Sequence, residues 1–308
     1  MKEDRFDILS HCNLCPRACG ADRASGKRGA CGADGRLLLA RAALHLWEEP
    51  PLSLGAGSGA VFFSNCPLKC VYCQNADIAH EGFGVEVDAD RLSRIFLALQ
   101  ADNAANINLV TGTHYLPWIL DALEKACALG LSLPVVWNTS GYESVDSIYL
   151  LNGHVDVYLT DFKYAAPSVS DAALRYSGAV DYFEVAQASL DAIFAQVGKP
   201  LFDDGGALRR GVVVRHLLLP GRLGESKHLM KHLWERFGDH VLYSVMSQYT
   251  PVRPLSGFPE LRERTTPEDY EELLDFMDSL GMEDYYWQEG DPAQESFIPP
   301  FDATGVLL

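Results

Sequence analysis

The chain has 308 residues, of which 48% are hydrophobic and 22% charged, enough for one large α/β domain with additions or for two domains. Its 25 Lys and Arg residues against 42 Asp and Glu residues give a net charge of −17, which argues against a nucleic-acid-binding surface. Met1–Arg5 lacks the apolar core of a signal peptide, and no run approaches the ~18 apolar residues of a membrane span. We therefore expect a cytoplasmic protein without membrane contacts, whose eight Cys serve metal chemistry rather than disulfides.

A glycine-rich segment with four thiols comes first. Its spacing is Cys12-x2-Cys15-x3-Cys19-x11-Cys31, and residues 11–35 contain few apolar side chains that could form a core. Four thiols in twenty residues predict an auxiliary metal centre that holds the segment together. The spacing leaves zinc and an iron–sulfur cluster open, because structural zinc favours Cys-x2-Cys pairs and only the first two thiols form one. Disulfides are the alternative, and the expected compartment disfavours them.

A connector is predicted at residues 36–54. It contains a short apolar run, Leu37–Leu44, followed by Glu48-Glu49-Pro50-Pro51. The glycines of Gly55–Gly59 predict a turn rather than a phosphate loop, because no helix follows them as a dinucleotide fingerprint requires.

The next strand and loop carry three more thiols. An apolar run, Val61–Phe63, leads into Cys66-x3-Cys70-x2-Cys73, with Tyr72 directly before the last thiol. Thiols this close can converge on one metal ion or cluster, and iron–sulfur clusters are held by such runs. Structural zinc sites are almost always closed with four ligands, so three thiols indicate a cluster with one iron left open. A disulfide with a spare thiol, or three buried hydrophobic Cys, fits this Pro- and Lys-bearing loop less well.

Strands and helices alternate through the rest of the chain. Asp88 is predicted to cap the first long helix, Gly130 to end the second, and Cys127 to lie in the core on the apolar face of that second helix. Six strand–helix units predict a parallel sheet with right-handed crossovers, open or closed into a barrel. The predicted strands after the first are 107–110, 134–137, 155–159, 212–219 and 241–246, and the predicted helices are 92–99, 116–123, 144–151, 181–197, 225–237 and 267–280, the last capped by Thr266 and ended by Gly281; Trp287 and the tail to Leu308 have no assignment.

Polar residues follow every predicted strand, and in parallel barrels these ends meet at one mouth. Asp161 and Lys163 are two residues apart, so an extended backbone aims both at the same face, as an ion pair or as a site for a zwitterion. Arg215-His216 interrupts an apolar strand, which favours a polar cavity beside it. Thr113 and Ser140 fit helix caps or turns equally well. The six sets are Asn65-Cys66, Thr111–His114, Asn138–Gly141, Thr160–Lys163, Arg215–His216 and Ser247–Gln248.

The loop with Cys66, Cys70 and Cys73 resembles the signature of the radical S-adenosylmethionine (radical SAM) superfamily. In that superfamily three Cys hold a 4Fe–4S cluster, and SAM chelates the fourth iron. Residues 60–255 look like the pyruvate formate-lyase activating enzyme group, in particular its uncharacterised activase-like branch, and the N-terminal Cys unit looks like the start of these relatives. The resemblance implies a partial six-stranded (β/α) parallel barrel, an electron donor such as flavodoxin or ferredoxin, and a protein among the candidate substrates.

The same resemblance implies a site. Thr111-Gly112-Thr113 stands where the superfamily has Gly-Gly-Glu near the cofactor's amino group, and the Glu is missing here. Asp161-Phe162-Lys163 resembles the activases' Asp-Leu-Lys, near the methionine and ribose, and Arg215-His216 resembles their Arg-His strand, whose His approaches the ribose. The cluster ligands would be Cys66, Cys70 and Cys73, and the SAM-binding residues would be Tyr72, Thr111, Gly112, Thr113, Asn138, Ser140, Asp161, Lys163 and His216.

Two classes of function follow. The first is a radical SAM enzyme, an activating-enzyme-like oxidoreductase that reductively cleaves SAM and abstracts hydrogen from a substrate that the sequence does not identify. The second is a zinc-stabilised, non-catalytic binding protein on a degenerate β/α barrel. In either case the predicted division is a Cys-rich extension at 1–54, the barrel at 55–255, and a C-terminal helix and tail at 256–308.

Overall fold

Near-continuous apolar runs form the strands of one large sheet, as expected for strands that are covered on both faces. The computed structural model describes residues 4–288 and 298–307. The strands are β1 (Leu37–His45), β2 (Ser58–Phe63), β3 (Val85–Val87), β4 (Ile107–Val110), β5 (Val135–Thr139), β6 (Val157–Asp161), β7 (Leu201–Phe202), β8 (Leu208–Leu217), β9 (Leu242–Met246) and β10 (Tyr285–Tyr286). The helices are α1 (Asp4–Asp7), α2 (Pro50–Ser53), α3 (Ala76–Ala79), α4 (Ala89–Ala101), α5 (Leu116–Ala128), α6 (Val145–Leu150), α7 (Ala172–Ser177), α8 (Tyr182–Val197), α9 (Leu223–Phe237) and α10 (Pro267–Ser279).

The sheet runs in the order β10-β9-β8-β6-β5-β4-β2-β1-β3, with β7 paired to β8. Neighbouring strands from β2 to β10 along this order are parallel, whereas β1 is antiparallel to β2 and β3 to β1. The six predicted parallel strands are therefore confirmed, and the sheet does not close on itself. All their carboxyl ends lie at the same edge, which is where a site can form.

Side-chain caps begin two helices at the residues predicted to cap them, and a third helix begins with a cap that was not predicted. Asp88 accepts a hydrogen bond from the Arg91 N–H at 2.7 Å, and Thr266 accepts one from the Asp269 N–H at 3.1 Å. Ser144 does the same at the start of α6. Each cap satisfies a backbone donor that the first helical turn leaves without a partner.

Two predictions are wrong. The connector at residues 36–54 contains a nine-residue strand, β1, because Leu37–Leu44 pairs antiparallel with β2 instead of linking two units. Cys127 is exposed rather than in the core, because the contact with the core passes to Ala126 in the last turn of α5. The strand β1 also joins the predicted N-terminal extension to the same sheet as the predicted barrel.

The C-terminal segment adds to the other end of the sheet. Strand β10 pairs parallel with β9, and α10 packs against α9, so residues 256–288 extend the same architecture. Residues 289–297 and Leu308 of the predicted tail lie outside the described residues. No helix in the described part of the chain is long and apolar enough to cross a membrane.

A candidate cofactor site at the strand ends

The carboxyl ends of the parallel strands surround a cavity of about 180 Å³. The three thiols of the loop after β2 line one side of it, and polar residues from β4, β5, β6 and β8 line the other. Of the nine residues predicted to bind SAM, six line this cavity: Tyr72, Thr111, Asn138, Ser140, Asp161 and Lys163. Gly112, Thr113 and His216 do not. The contribution of each to cofactor binding stays a prediction.

The thiol loop curls because Asn65 and Lys69 adopt left-handed backbone angles, with φ of 70° and 52°. Burial, with a smaller effect of the neighbouring thiols, raises the pKa of the Cys66 thiol to about 11 and that of Cys73 to about 12. A bound metal would remove these protons, since a coordinating thiol is deprotonated. Three donors already point at the sulfurs: the Lys69 N–H at Cys66, the Ser177 hydroxyl at Cys70 (3.1 Å) and the Asn75 N–H at Cys73.

This donor set fits an iron–sulfur cluster better than a single ion. Among residues 4–288 and 298–307, no three His, Cys, Asp or Glu side chains are arranged to hold one metal ion. A four-iron cluster places irons and sulfides between its ligands, so its thiolates lie farther apart than those around one zinc. Zinc sites made by protein alone also need a fourth ligand, which this loop lacks.

A chain of buried charges crosses the cavity wall from β6 to β8. The Lys163 Nζ lies 2.5 Å from Asp161 Oδ2, and the Arg215 Nε lies 2.9 Å from Asp161 Oδ1. Arg215 also donates to Asn138 Oδ1 at 2.7 Å. Burial alone would raise the pKa of Asp161, but the two cations together hold it below its ordinary value. Lys163 and Asp161 thus present opposite charges to the cavity, in the arrangement that a zwitterion requires.

Two carboxylates missed by the sequence analysis lie beneath this network. Glu48 accepts from the Asn108 amide at 3.0 Å and lies 3.6 Å from the Arg215 guanidinium. Burial raises the pKa of its neighbour Glu49 to about 7, although Arg215 opposes the rise. Both belong to the segment predicted to be a connector. In the sequence these carboxylates appear as a pair of acidic residues before two prolines, a pattern that is equally typical of an exposed loop.

Thr113 turns away from the cavity and hydrogen bonds to a buried carboxyl. Its hydroxyl donates to Glu143 Oε1 at 2.6 Å, and the Thr139 hydroxyl donates to the same oxygen. Burial raises the pKa of Glu143 to about 7. The other carboxyl oxygen and the Trp137 Nε1 are both buried without a hydrogen-bond partner among the described residues. The acidic group at this strand end therefore comes from the β5 side of the sheet, thirty residues after Thr113.

Gly112 lies against the helix behind the sheet rather than at the cavity. A Cβ at this position would lie 2.7 Å from Ile119 and 3.0 Å from Trp137, so a larger residue would force them apart. Thr111, one residue earlier, adopts a φ of 60° and faces the cavity. The backbone bend implied by the resemblance is present, and the cavity side of it is formed by Thr111.

His216 is buried behind the cavity wall, with both ring nitrogens engaged. Nδ1 donates to the Phe162 carbonyl at 2.9 Å, and Nε2 accepts from the Ser226 hydroxyl at 2.8 Å. Burial lowers the pKa of His216 to about 4, so the ring is neutral near pH 7. It holds the backbone between Asp161 and Lys163 in place.

Tyr72 fills the space beside the thiols with three other tyrosines. Its ring lies edge-on to Tyr176 at 6.0 Å, to Tyr249 at 6.2 Å and to Tyr164 at 6.5 Å between centroids. Such edge-to-face contacts between aromatic rings are favourable and fix ring orientation. These contacts fix the orientation of Tyr72 in the wall of the cavity beside the thiols.

The four N-terminal thiols lie outside the cavity, beside the loop that carries Cys66, Cys70 and Cys73. Cys12, Cys15 and Cys31 are buried, and Cys19 is exposed. Arg17 fastens the unit to the loop, since its guanidinium donates to the Pro67 carbonyl at 3.1 Å. The two sets of thiols are therefore adjacent but separate.

No protein-family profile matches the chain. An uncharacterized protein of Methanocaldococcus jannaschii is 28% identical over 287 residues, which cover 91% of this chain and 78% of that protein. A radical SAM methyltransferase from Sphaerobacter thermophilus is similar in structure, with a TM-score of 0.47 and 14% identity over 73% of this chain and 64% of its own, less than two thirds of its length. A domain of a pyruvate-formate lyase-activating enzyme from Bacteroides vulgatus has a TM-score of 0.42 and 9% identity over 60% of this chain and 100% of its own. At these identities and TM-scores the similarities assign neither a family nor a function.

Proposed function

We propose that this protein is a radical SAM enzyme that binds a 4Fe–4S cluster through Cys66, Cys70 and Cys73. The observation that carries the proposal is that three thiols of one short loop and a buried pair of opposite charges, Asp161 and Lys163, line the same cavity. When bound, the reduced cluster would supply an electron to SAM and so yield methionine and a 5′-deoxyadenosyl radical for hydrogen abstraction.

The residues around the thiols prepare them to act as ligands. Backbone N–H groups and the Ser177 hydroxyl point at the three sulfurs, and hydrogen bonds of this kind stabilise the thiolate form. Ser177 is itself held by Tyr164, whose hydroxyl lies 2.6 Å from the serine oxygen. Three protein ligands leave one iron of a four-iron cluster available for SAM.

The opposite wall of the cavity suits the amino-acid part of SAM. The Lys163 ammonium attracts a carboxylate, and the Asp161 carboxylate attracts an ammonium group. Arg215, itself held by Glu48, keeps these charges in place before any ligand arrives, so little reorganisation is needed on binding. Apolar residues on the same wall, Val110, Leu217 and Met246, offer surface for the adenine ring.

The finer assignment is also a proposal. Asp161-Phe162-Lys163 and Arg215-His216 support an activating-enzyme-like oxidoreductase, with flavodoxin or ferredoxin as electron donor and a polypeptide as the substrate to test first. The setting proposed for it is the cytoplasm. The zinc-stabilised binding protein is not favoured, because the loop after β2 offers three thiols where a structural zinc site has four ligands.

The proposal can be tested by spectroscopy on the anaerobically purified full chain. It predicts iron and acid-labile sulfide bound to Cys66, Cys70 and Cys73, and a change in the electron paramagnetic resonance spectrum of the reduced cluster when SAM is added. Replacement of the three Cys by Ala should remove that SAM-sensitive signal. A chain that binds zinc in place of iron, or a cluster signal that SAM leaves unchanged, would contradict the proposal.

A further inference from the structure

The four thiols of the N-terminal unit form a group of their own, outside the cavity. All four are free of disulfides. The sulfurs of Cys19 and Cys31 lie 3.4 and 3.5 Å from the point where a Cβ on Gly29 would stand, so these two sulfurs are close to each other. Cys31 also lies within electrostatic range of Cys12, and Cys15 within range of both. The four thiols thus lie near one another in this unit.

Hydrogen-bond donors point at these sulfurs. A buried Cys that acts as a small hydrophobic residue needs no such donors, whereas a thiolate ligand is stabilised by them. The Ala33 N–H donates to Cys31 Sγ at 3.4 Å, and the Arg23 guanidinium donates to Cys12 Sγ at 3.6 Å.

A buried cation lies beside the thiols without a carboxylate partner. Arg23 is fully buried, and its guanidinium donates to the carbonyls of Asp34 and His114 and to Cys12 Sγ at 3.6 Å. No Asp or Glu within residues 4–288 and 298–307 forms an ion pair with it. An unpaired buried charge is costly, so a negative group is expected within reach. A tetrathiolate metal centre carries net negative charge and would supply it.

We infer that Cys12, Cys15, Cys19 and Cys31 hold a second iron–sulfur cluster. Zinc fits less well, because structural zinc favours Cys-x2-Cys pairs and only Cys12 and Cys15 form one. All four ligands come from the protein, so this cluster has no open iron and does not bind SAM. Its site is independent of the proposed function, since none of its thiols lines the cavity.

The second site lies directly against the loop of the first. A Cβ on Gly32, next to Cys31, would be 2.9 Å from Asn65 Oδ1, next to Cys66. The Arg17 guanidinium bridges the same loop and α7, donating to the Ser177 carbonyl at 2.6 Å. A cluster held by the N-terminal thiols would therefore also brace the loop that carries Cys66 and Cys70.

The test measures the iron and sulfide that remain bound to the full chain after Cys66, Cys70 and Cys73 are replaced. Iron, acid-labile sulfide and zinc are measured per chain after anaerobic reconstitution of the wild type and of the Cys66→Ala/Cys70→Ala/Cys73→Ala variant. The inference predicts that this variant retains roughly half of the wild-type iron and sulfide, with a reduced-state spectrum that SAM does not change. Adding Cys31→Ser should remove the rest, whereas adding Cys127→Ala should change nothing.

The inference fails if the triple variant holds no iron above background, or holds zinc in its place. It also fails if Cys31→Ser leaves the retained iron unchanged. The triple variant leaves the N-terminal unit intact, so the result does not depend on the folding of a variant in that unit. A SAM-insensitive wild type with a retained cluster would overturn the proposed function but not this inference.

Discussion

Asp161 at the end of β6 and Arg215 in β8 are direct partners across two hydrogen-bonded parallel strands. Their side chains form an ion pair with 2.9 Å between Nε and Oδ1, and Lys163 binds the other carboxylate oxygen. The register of the sheet therefore aligns Asp161 with Arg215, and Lys163 follows two residues after the end of β6. The charged wall of the cavity is a consequence of strand pairing rather than of loop conformation.

Replacing Asp161 with Asn should strongly destabilise the fold, because it leaves two buried cations without their shared partner. Breaking a buried pair from one side typically costs about 3–5 kcal/mol. The measurement is the free energy of unfolding from denaturant titration. Asp191→Asn is the matched control, since it breaks the more exposed pair with Arg236 and should cost less than about 1 kcal/mol. Equal and small losses in the two variants would mean that the Asp161 network is solvated.

Lys163→Met should weaken SAM binding while the metal content stays unchanged, and the chain should still fold because Asp161 keeps Arg215 as its partner. The loss of a charge-assisted contact is on the order of 1–3 kcal/mol, roughly a 5- to 150-fold rise in the dissociation constant. Equilibrium binding to the cluster-loaded protein measures it. Lys227→Met, which removes a cation paired with Glu272 on the surface, is the control. An unchanged SAM affinity in the Lys163 variant would show that the amino-acid part of SAM does not bind at Lys163.

His216→Ala should reduce stability more than SAM affinity, the reverse of what we expect for Lys163→Met. Both ring nitrogens are engaged inside the protein, so the variant loses two hydrogen bonds and leaves a cavity, at a cost of about 2–4 kcal/mol in stability. Its effect on SAM should be indirect, through the Phe162 backbone, and smaller than that of Lys163→Met. Parallel thermal unfolding and SAM titration check this. A large loss of SAM affinity at wild-type stability would instead show direct contact.

The sequence predicts the parallel strands and the helix caps well because both are local patterns. Successive side chains on a strand face opposite ways, so only one of Arg215 and His216 can reach the cavity. The sequence does not indicate which of the two does so. In the structure Arg215 faces the cavity and His216 faces Ser226 on α9. The bond between Thr113 and Glu143 spans thirty residues and has no local signal. The strand β1 was missed because an apolar run of this length also fits a connector.

Glu143→Gln should make stability less dependent on pH. Burial raises the pKa of Glu143 from 4.5 to about 7, so the folded chain keeps a proton that the unfolded chain releases above pH 4.5. The stability that this proton contributes is fully present below pH 4.5 and is lost as the pH rises through about 7. Because Gln does not ionise, the variant should gain on the order of 3 kcal/mol relative to wild type between those pH values.

Chemical unfolding at pH 5 and pH 8 measures this difference. Glu271→Gln, at an exposed position on α10, is the control and should follow the wild type at both pH values. A Glu143 variant with the wild-type pH profile would show that this carboxyl ionises as easily as an exposed one.

The most direct test of the central claim is the production of 5′-deoxyadenosine from SAM. The cluster-loaded wild type, given a strong reductant under anaerobic conditions, should form 5′-deoxyadenosine and methionine in equal amounts. The Cys66→Ala/Cys70→Ala/Cys73→Ala variant should form neither, and Cys127→Ala should match the wild type. A triple variant that still produced 5′-deoxyadenosine, or a cluster-loaded wild type that produced none, would contradict the account.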